Sequence, residues 1–181
     1  MRGFFEPESV AVVGVSNQLD NLGVRISINL HQFGYPGTVY EVGPKGGSVY
    51  GRPIYRSIAE IPGPVDLAVL LTPAAAVPDV MEDCGRKGIR RVVVESGGFS
   101  ELGDEGRRLA GLAKEAAARW GIRFIGPNGL GVINRRLGLA TAFGIIVPAV
   151  PSGGISVLSQ SGGVRLRLLN TLSSEGRGGA K

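Results

Sequence analysis

Short solid apolar runs alternate along this chain with longer stretches in which apolar residues recur every three or four positions. The run 9–15 is rich in β-branched residues and, like 65–71 and 89–95, stops at small or turn-forming ones, as strands buried on both faces of a parallel sheet do. Residues 37–42 and 122–125 read as two further strands. Between them, Leu22, Ile26, Leu30 and Phe33 share one face of a helix over 21–33, with Gly34 as its stop. Pro78 suits the first turn of a helix over 78–87. Leu109, Leu112, Ala113, Ala116, Ala117 and Trp120 stripe a third helix over 104–120, ended by Gly121. The stretch with Pro53, Pro62 and Pro64 reads as a connection. Strands alternating with helices at this spacing predict right-handed βαβ units, hence an α/β fold with a Rossmann-like parallel sheet.

Each strand hands over to a loop of small or turn-forming residues. In order these are Ser16-Asn17-Gln18-Leu19-Asp20, Gly43-Pro44-Lys45-Gly46-Gly47, Thr72-Pro73-Ala74, Ser96-Gly97-Gly98-Phe99-Ser100 and Gly126-Pro127-Asn128-Gly129-Leu130-Gly131. In a parallel sheet all five lie along the carboxyl edge, where such folds hold ligands, and glycine lets backbone N–H groups approach a phosphate or an amide closely. One such loop is as readily an ordinary tight connection; recurrence along one edge points to a ligand.

Beyond Asn134 the pattern changes. Residues 137–143 are apolar, Val147-Pro148-Ala149-Val150-Pro151 reads as a linker, and 154–158 is a fresh strand that ends in Ser159-Gln160-Ser161-Gly162-Gly163. With a helix over 163–173, this repeats the opening strand–turn–helix unit and would begin a second domain. The expected division is residues 1–134, a linker over 135–151, and 152–181 as the start of a second α/β domain. The glycine-rich end at 176–181 has little to bury. The chain is therefore expected to stop inside that second domain.

With 181 residues, 43% hydrophobic and 19% charged, the chain can bury one full core and part of another. No apolar run approaches the roughly 20 residues that span a bilayer, and the first residues lack a signal-peptide pattern, so a cytoplasmic location and no membrane partner are expected. The net charge of +5 comes mostly from scattered arginines, without a clustered basic face or interleaved aromatics, which argues against nucleic acid. A positive field does suit a small polyanion. The single cysteine, Cys84, excludes an internal disulfide and reads as a small buried hydrophobe on a helix; no metal site is expected. The one histidine, His31, falls inside the first helix and reads as an ordinary helical residue.

The segment 9–16, Gly43-Pro44-Lys45-Gly46, Leu71-Thr72-Pro73-Ala74, Ser96-Gly97-Gly98-Phe99-Ser100, 126–131 and Ser159-Gln160-Ser161-Gly162 occur in an order that resembles the CoA-binding domain of NDP-forming acyl-CoA synthetases, relatives of the succinyl-CoA synthetase alpha subunit. The resemblance covers about residues 5–165. It implies a CoA-binding Rossmann domain followed by a flavodoxin-like ligase domain. The implied activity is reversible conversion of acyl-CoA, phosphate and ADP or GDP into acid, CoA and nucleoside triphosphate, through an acyl phosphate and a phosphohistidine.

By the same resemblance, CoA lies against Gly14, Val15, Ser16 and Asn17, with Lys45 as a cation toward its phosphates and Thr72 and Pro73 alongside. Ser96, Gly97 and Gly98 would line the pantetheine arm, and Asn128 would lie near the thiol end. Ser159, Gln160, Ser161 and Gly162 would offer a helix N-terminus to the phosphate of the phosphohistidine. ADP or ATP and Mg belong to the complete enzyme, as does an ATP-grasp ligase domain or subunit; self-association is left open. The family's phosphorylated histidine lies further along than residue 181, so this chain by itself is expected to be inactive. Gly129 stands where the family often has cysteine or serine, and Arg165 and Arg167 where it usually has small residues.

Two other readings compete. One is a nicotinamide-dinucleotide module in which Glu41, near the end of the second strand, would hold a ribose diol. Against it, no glycine follows Gly14 until Gly23, so the G-x-G-x-x-G spacing is missing. The other is a stand-alone CoA-binding protein without catalysis.

Overall fold

The computed structural model describes residues 2–18, 20–144, 152–176 and 178. A short helix, α1 (Arg2–Phe5), precedes β1 (Ser9–Val13), all five residues of which are buried. Then come α2 (Leu22–Gln32), β2 (Thr38–Val42), β3 (Ser48–Val49), β4 (Arg52–Tyr55), β5 (Leu67–Leu70), α3 (Val77–Lys87), β6 (Arg91–Val94), α4 (Gly103–Trp120) and β7 (Arg123–Ile125). These strands form one sheet in the order β3-β4-β2-β1-β5-β6-β7, parallel throughout except for β3 against β4. The chain runs outward from β1 through β2 to β4, then crosses back to β5 on the other side of β1. That reversal is the switch point at which doubly wound sheets open their crevice.

Right-handed crossovers made in opposite directions put helices on both faces. On one face α3 and α4 cover Ala11, Val13, Ala68, Leu70, Val92 and Val94, all buried. Gly85 of α3 leaves room for the Trp120 ring of α4, and Trp120 Nε1 donates to Glu82 Oε2 at 2.7 Å. On the other face α2 lays Val24, Ile26 and Leu30, each with no exposed surface, over Val10, Val12, Leu67 and Val69. Burying three such side chains supplies on the order of 1.5–3 kcal/mol each, which holds α2 in place more firmly than its intrinsic propensity does.

The sheet has seven strands, two more than the apolar runs indicate. β3 and β4 are two and four residues long, and Pro53 sits within β4. Such short strands show no periodicity, and proline reads as a break. Here it is tolerated because Pro53 pairs with Ser48 of the edge strand, while the neighbouring Ile54 N–H donates to Gly47 O at 2.9 Å.

The segment 135–144, expected as the first part of a linker, packs onto the α2 face instead. β8 (Ile133–Asn134) and β9 (Leu139–Ala140) form a hairpin, with Leu139 fully buried, and Asn29 Nδ2 donates to Ala142 O at 2.6 Å and Gly144 O at 3.0 Å. The remainder of the expected linker, 145–151, lies outside the described residues. Among the described residues β10 (Ser152–Ile155) joins neither sheet, and it ends three residues earlier than its apolar run, while α5 (Gly162–Ser174) follows the 159–162 turn.

Candidate functional site

The loops after β1 and β5 meet at the switch point. Gly14 has φ +107°, and a Cβ there would stand 2.2 Å from Leu71 O, so only glycine lets the two strand ends close up. Gly43 is packed as tightly: a Cβ would lie 1.8 Å from Val15 O. Asn21 ties this corner to α2, its Oδ1 accepting from Val24 N–H and its Nδ2 donating to Gly14 O, both at 3.0 Å.

These glycines differ in what they offer a ligand. The N–H groups of Gly14 and Val15 both donate to Val42 O at 2.9 Å, which spends them inside the sheet. Gly98 N–H donates to Glu101 Oε1 at 2.6 Å, and Asn128 N–H to Ser96 O at 2.9 Å. No described residue accepts from the amides of Ser16, Asn17 or Gly97, which leaves them as bare donors. Lys45 is exposed, and the Thr72 hydroxyl is buried without a hydrogen-bond partner among the described residues. A cation, three bare amides and an orphaned hydroxyl along one edge suit a long ligand with phosphates at one end and amides further on.

Glu101 was not singled out in the sequence, yet its carboxylate caps the loop after β6. Backbone N–H groups of Glu101, Gly98 and Phe99 hold its carboxyl below the usual carboxylate range. The signal was available in Gly98-Phe99-Ser100-Glu101, an acidic residue three places after a loop glycine just ahead of a helix.

The loop after β7 begins with a cis Gly126–Pro127 bond and places Asn128 in the left-handed region at φ +56°. A Cβ on Gly97 would lie 3.4 Å from both Asn128 Oδ1 and Glu101 Oε1, so these groups converge. The 159–162 turn comes up to the same place: Gly162 rests against the Leu130 side chain so closely that a Cβ would stand 2.1 Å from Cδ1. Within the turn, Ser159 Oγ donates to Ser161 O at 2.9 Å and Ser161 Oγ accepts from Val164 N–H at 3.4 Å. Arg167 is exposed; the Arg165 side chain lies outside the described residues.

Residues 8–135 match the model of a family described as CoA binding domain. The chain belongs to that family. It is 40% identical over 173 residues to the alpha subunit of acetate–CoA ligase (ADP-forming) I from Pyrococcus furiosus, a match that covers 93% of this chain and 37% of the relative. Acetate–CoA ligase (ADP-forming) I from Archaeoglobus fulgidus is 41% identical over the whole chain, which covers 26% of that protein. Among solved structures, the apo form of dinucleotide-forming acetyl-coenzyme A synthetase 1 from Ca. Korarchaeum cryptofilum superposes with a TM-score of 0.91 at 32% identity, over 99% of this chain and 38% of that one. The chain thus spans between a quarter and two fifths of the length of these relatives. The resemblance noted in the sequence holds, as does the Rossmann-like fold.

His31 lies on α2, away from the five loops, and Cys84 is buried on α3, where burial pushes its thiol up to about 12. Glu41 is buried on the α2 face, 3.6 Å from Arg52, rather than open at the loop edge where a ribose diol would need it. Among the described residues no cluster could hold a metal ion, and no helix is long and apolar enough to cross a membrane.

Proposed function

We propose that this chain is the CoA-binding part of an ADP-forming acid–CoA ligase, and that CoA lies along the five loops. The observation that carries the reading is the seating of Gly162 against Leu130, which brings the 159–162 turn to the loop that holds Asn128. A thiol end resting at Asn128 would then sit beside a helix N-terminus suited to a phosphate, the pairing an acyl phosphate intermediate needs.

In this reading Lys45 draws the CoA phosphates electrostatically, and the bare amides of Ser16 and Asn17 bond them. Gly14, Val15, Thr72 and Pro73 give shape to the corner, and the Thr72 hydroxyl gains a partner. Ser96, Gly97 and Gly98 line the pantetheine arm, with Gly97 supplying an N–H and Asn128 an amide near the sulfur. Ser159, Gln160, Ser161 and Gly162 orient a phosphate at the start of α5. ADP or ATP, Mg and the phosphorylated histidine belong to the rest of the enzyme, an ATP-grasp domain or subunit. The acid is a carboxylate, as is the acetate in the names of the two ligases above, the cellular site is the cytoplasm, and this chain alone performs no turnover.

The test is Ser161→Asp in the completed ligase. A carboxylate there places like charge on the anion site, so phosphoryl transfer to the histidine is expected to fall at least tenfold while CoA affinity is unchanged. Normal transfer would remove the reason for assigning the turn to phosphate.

A further inference from the structure

A cavity of about 390 Å³ opens on the α2 face, between the second half of α2, β2 and the β3–β4 hairpin. That volume lies within the range of small-molecule sites. None of its lining residues comes from the five loops. Since a helix rises ~1.5 Å per residue, the α2 residues along the cavity lie roughly 8–15 Å down the axis from Leu22, where the first loop ends.

Two polar groups on the cavity are almost wholly buried, Glu41 at 2% exposure and Ser27 at 4%. Ser27 Oγ makes no hydrogen bond among the described residues. The closest Glu41–Arg52 approach is 3.6 Å, beyond hydrogen-bond length, and Arg52 is itself partly exposed. Burial pushes the Glu41 carboxyl upward, and Arg52, its own backbone amide and the nearby Ser27 hydroxyl pull it only part of the way back. Native interiors rarely leave a buried hydroxyl such as that of Ser27 without a partner, and both it and Glu41, paired loosely with Arg52, border an open space. The walls add apolar surface from Ile28 and Val49. At the hairpin tip, Tyr50 lines the mouth with φ +49°, a left-handed conformation uncommon for a bulky residue, and 65% exposure.

The chemistry narrows the occupant. A metal ion would meet one carboxylate beside a guanidinium, and a free anion would meet Glu41. A neutral ring with an N–H on its edge meets neither objection, because a carboxyl and a hydroxyl are its natural partners and aliphatic and phenol surfaces its natural walls. We propose that this cavity binds an amino-bearing heterocycle of purine size, with its amino N–H donated to Glu41, Ser27 Oγ paired to the adjacent ring position and Tyr50 over its face.

CoA itself carries an aminopurine, so the experiment must separate the two sites. The isotope-labelled 181-residue chain is titrated with adenosine and with purine riboside, which lacks the amino group, each with and without saturating CoA, and read by amide NMR. Adenosine is expected to shift amides around Ser27, Glu41 and Tyr50 equally in both states, and to bind at least tenfold more tightly than purine riboside. Glu41→Gln should weaken adenosine at least fivefold and leave CoA affinity unchanged. Ile28→Trp, which fills the cavity, should abolish the shifts; Val49→Phe serves if that variant fails to fold. Adenosine shifts that are confined to the loops or displaced by CoA would overturn the separate site, and so would the absence of any shift at millimolar adenosine in a folded sample. Failure of the same sample to bind CoA would count against the function proposed above, not against this cavity.

Discussion

Two of the strand–turn–helix units, β1 to α2 and β10 to α5, have small polar turns that look alike in sequence and surroundings that do not. Every residue of β1 is buried, and its turn is clamped by Leu71 O, Val42 O and Asn21. β10 is mostly exposed, Leu158 wholly so, and Val164 and Leu168 of α5 are 52% and 42% exposed. The turn chemistry is local, but rigidity comes from neighbours that share each carbonyl and fill each gap. The first unit is therefore held on every side, whereas the second touches the rest of the described residues chiefly where Gly162 meets Leu130.

The sharpest way to break that contrast is to add one methyl to each turn. Gly14→Ala forces a Cβ into Leu71 O at a left-handed φ and should cost about 3 kcal/mol or more. Gly163→Ala meets nothing closer than Ser161 Oγ at 4.0 Å and lies in a helix, so it should be neutral or stabilise by up to about 1 kcal/mol. Urea denaturation measures both. Equal effects would mean that the two turns are equally confined.

The binding side of the contrast is probed by Lys45→Ala, which should weaken CoA by about 1–3 kcal/mol and flatten the salt dependence of its affinity. Calorimetry at two ionic strengths shows both. An unchanged affinity and slope would make Lys45 a bystander.

Much of this was legible beforehand, because buried strands and amphipathic helices advertise their period. β1, β2, β5, β6 and β7, the three main helices and the loops along one edge follow from the apolar runs and glycines. Strands β3 and β4 did not, being too short and carrying Pro53; nor did the burial of Leu139, whose hairpin is too brief to show alternation. Which amides are already bonded inside the fold was also hidden. Gly14 and Ser16 look equally suited as donors in sequence, and only the sheet register shows that Gly14 N–H is already committed to Val42 O.

A smaller effect compares the two helix caps. Asn21 makes two hydrogen bonds in a partly buried corner, so Asn21→Ala should cost about 1–2 kcal/mol. Ser161 makes one longer bond at the surface, and Ser161→Ala should cost about 0.5 kcal/mol or less. Thermal unfolding of the two variants gives the difference; a larger loss at Ser161 would reverse the comparison.

Cys84 should do least near neutral pH. Its thiol is raised from 9.0 to about 12 in the fold, chiefly by burial. The folded state therefore favours the protonated form, and the resulting stability is complete below pH 9 and lost as pH rises from there toward 12. Cys84→Ala should remove that part of the alkaline slope, and a thiol reagent should label Cys84 only at the rate of global unfolding. Rapid labelling at pH 7 would show that the helix α3 face opens more readily than its packing implies.

Central to the account is that the glycine loops along the carboxyl edge bind CoA. Titration calorimetry of the 181-residue chain with CoA and with NAD under identical conditions tests this most directly. The account predicts saturable 1:1 binding of CoA, tighter than NAD and weakened by Lys45→Ala; NAD binding as tight as CoA, or no heat from CoA in folded protein, would contradict it.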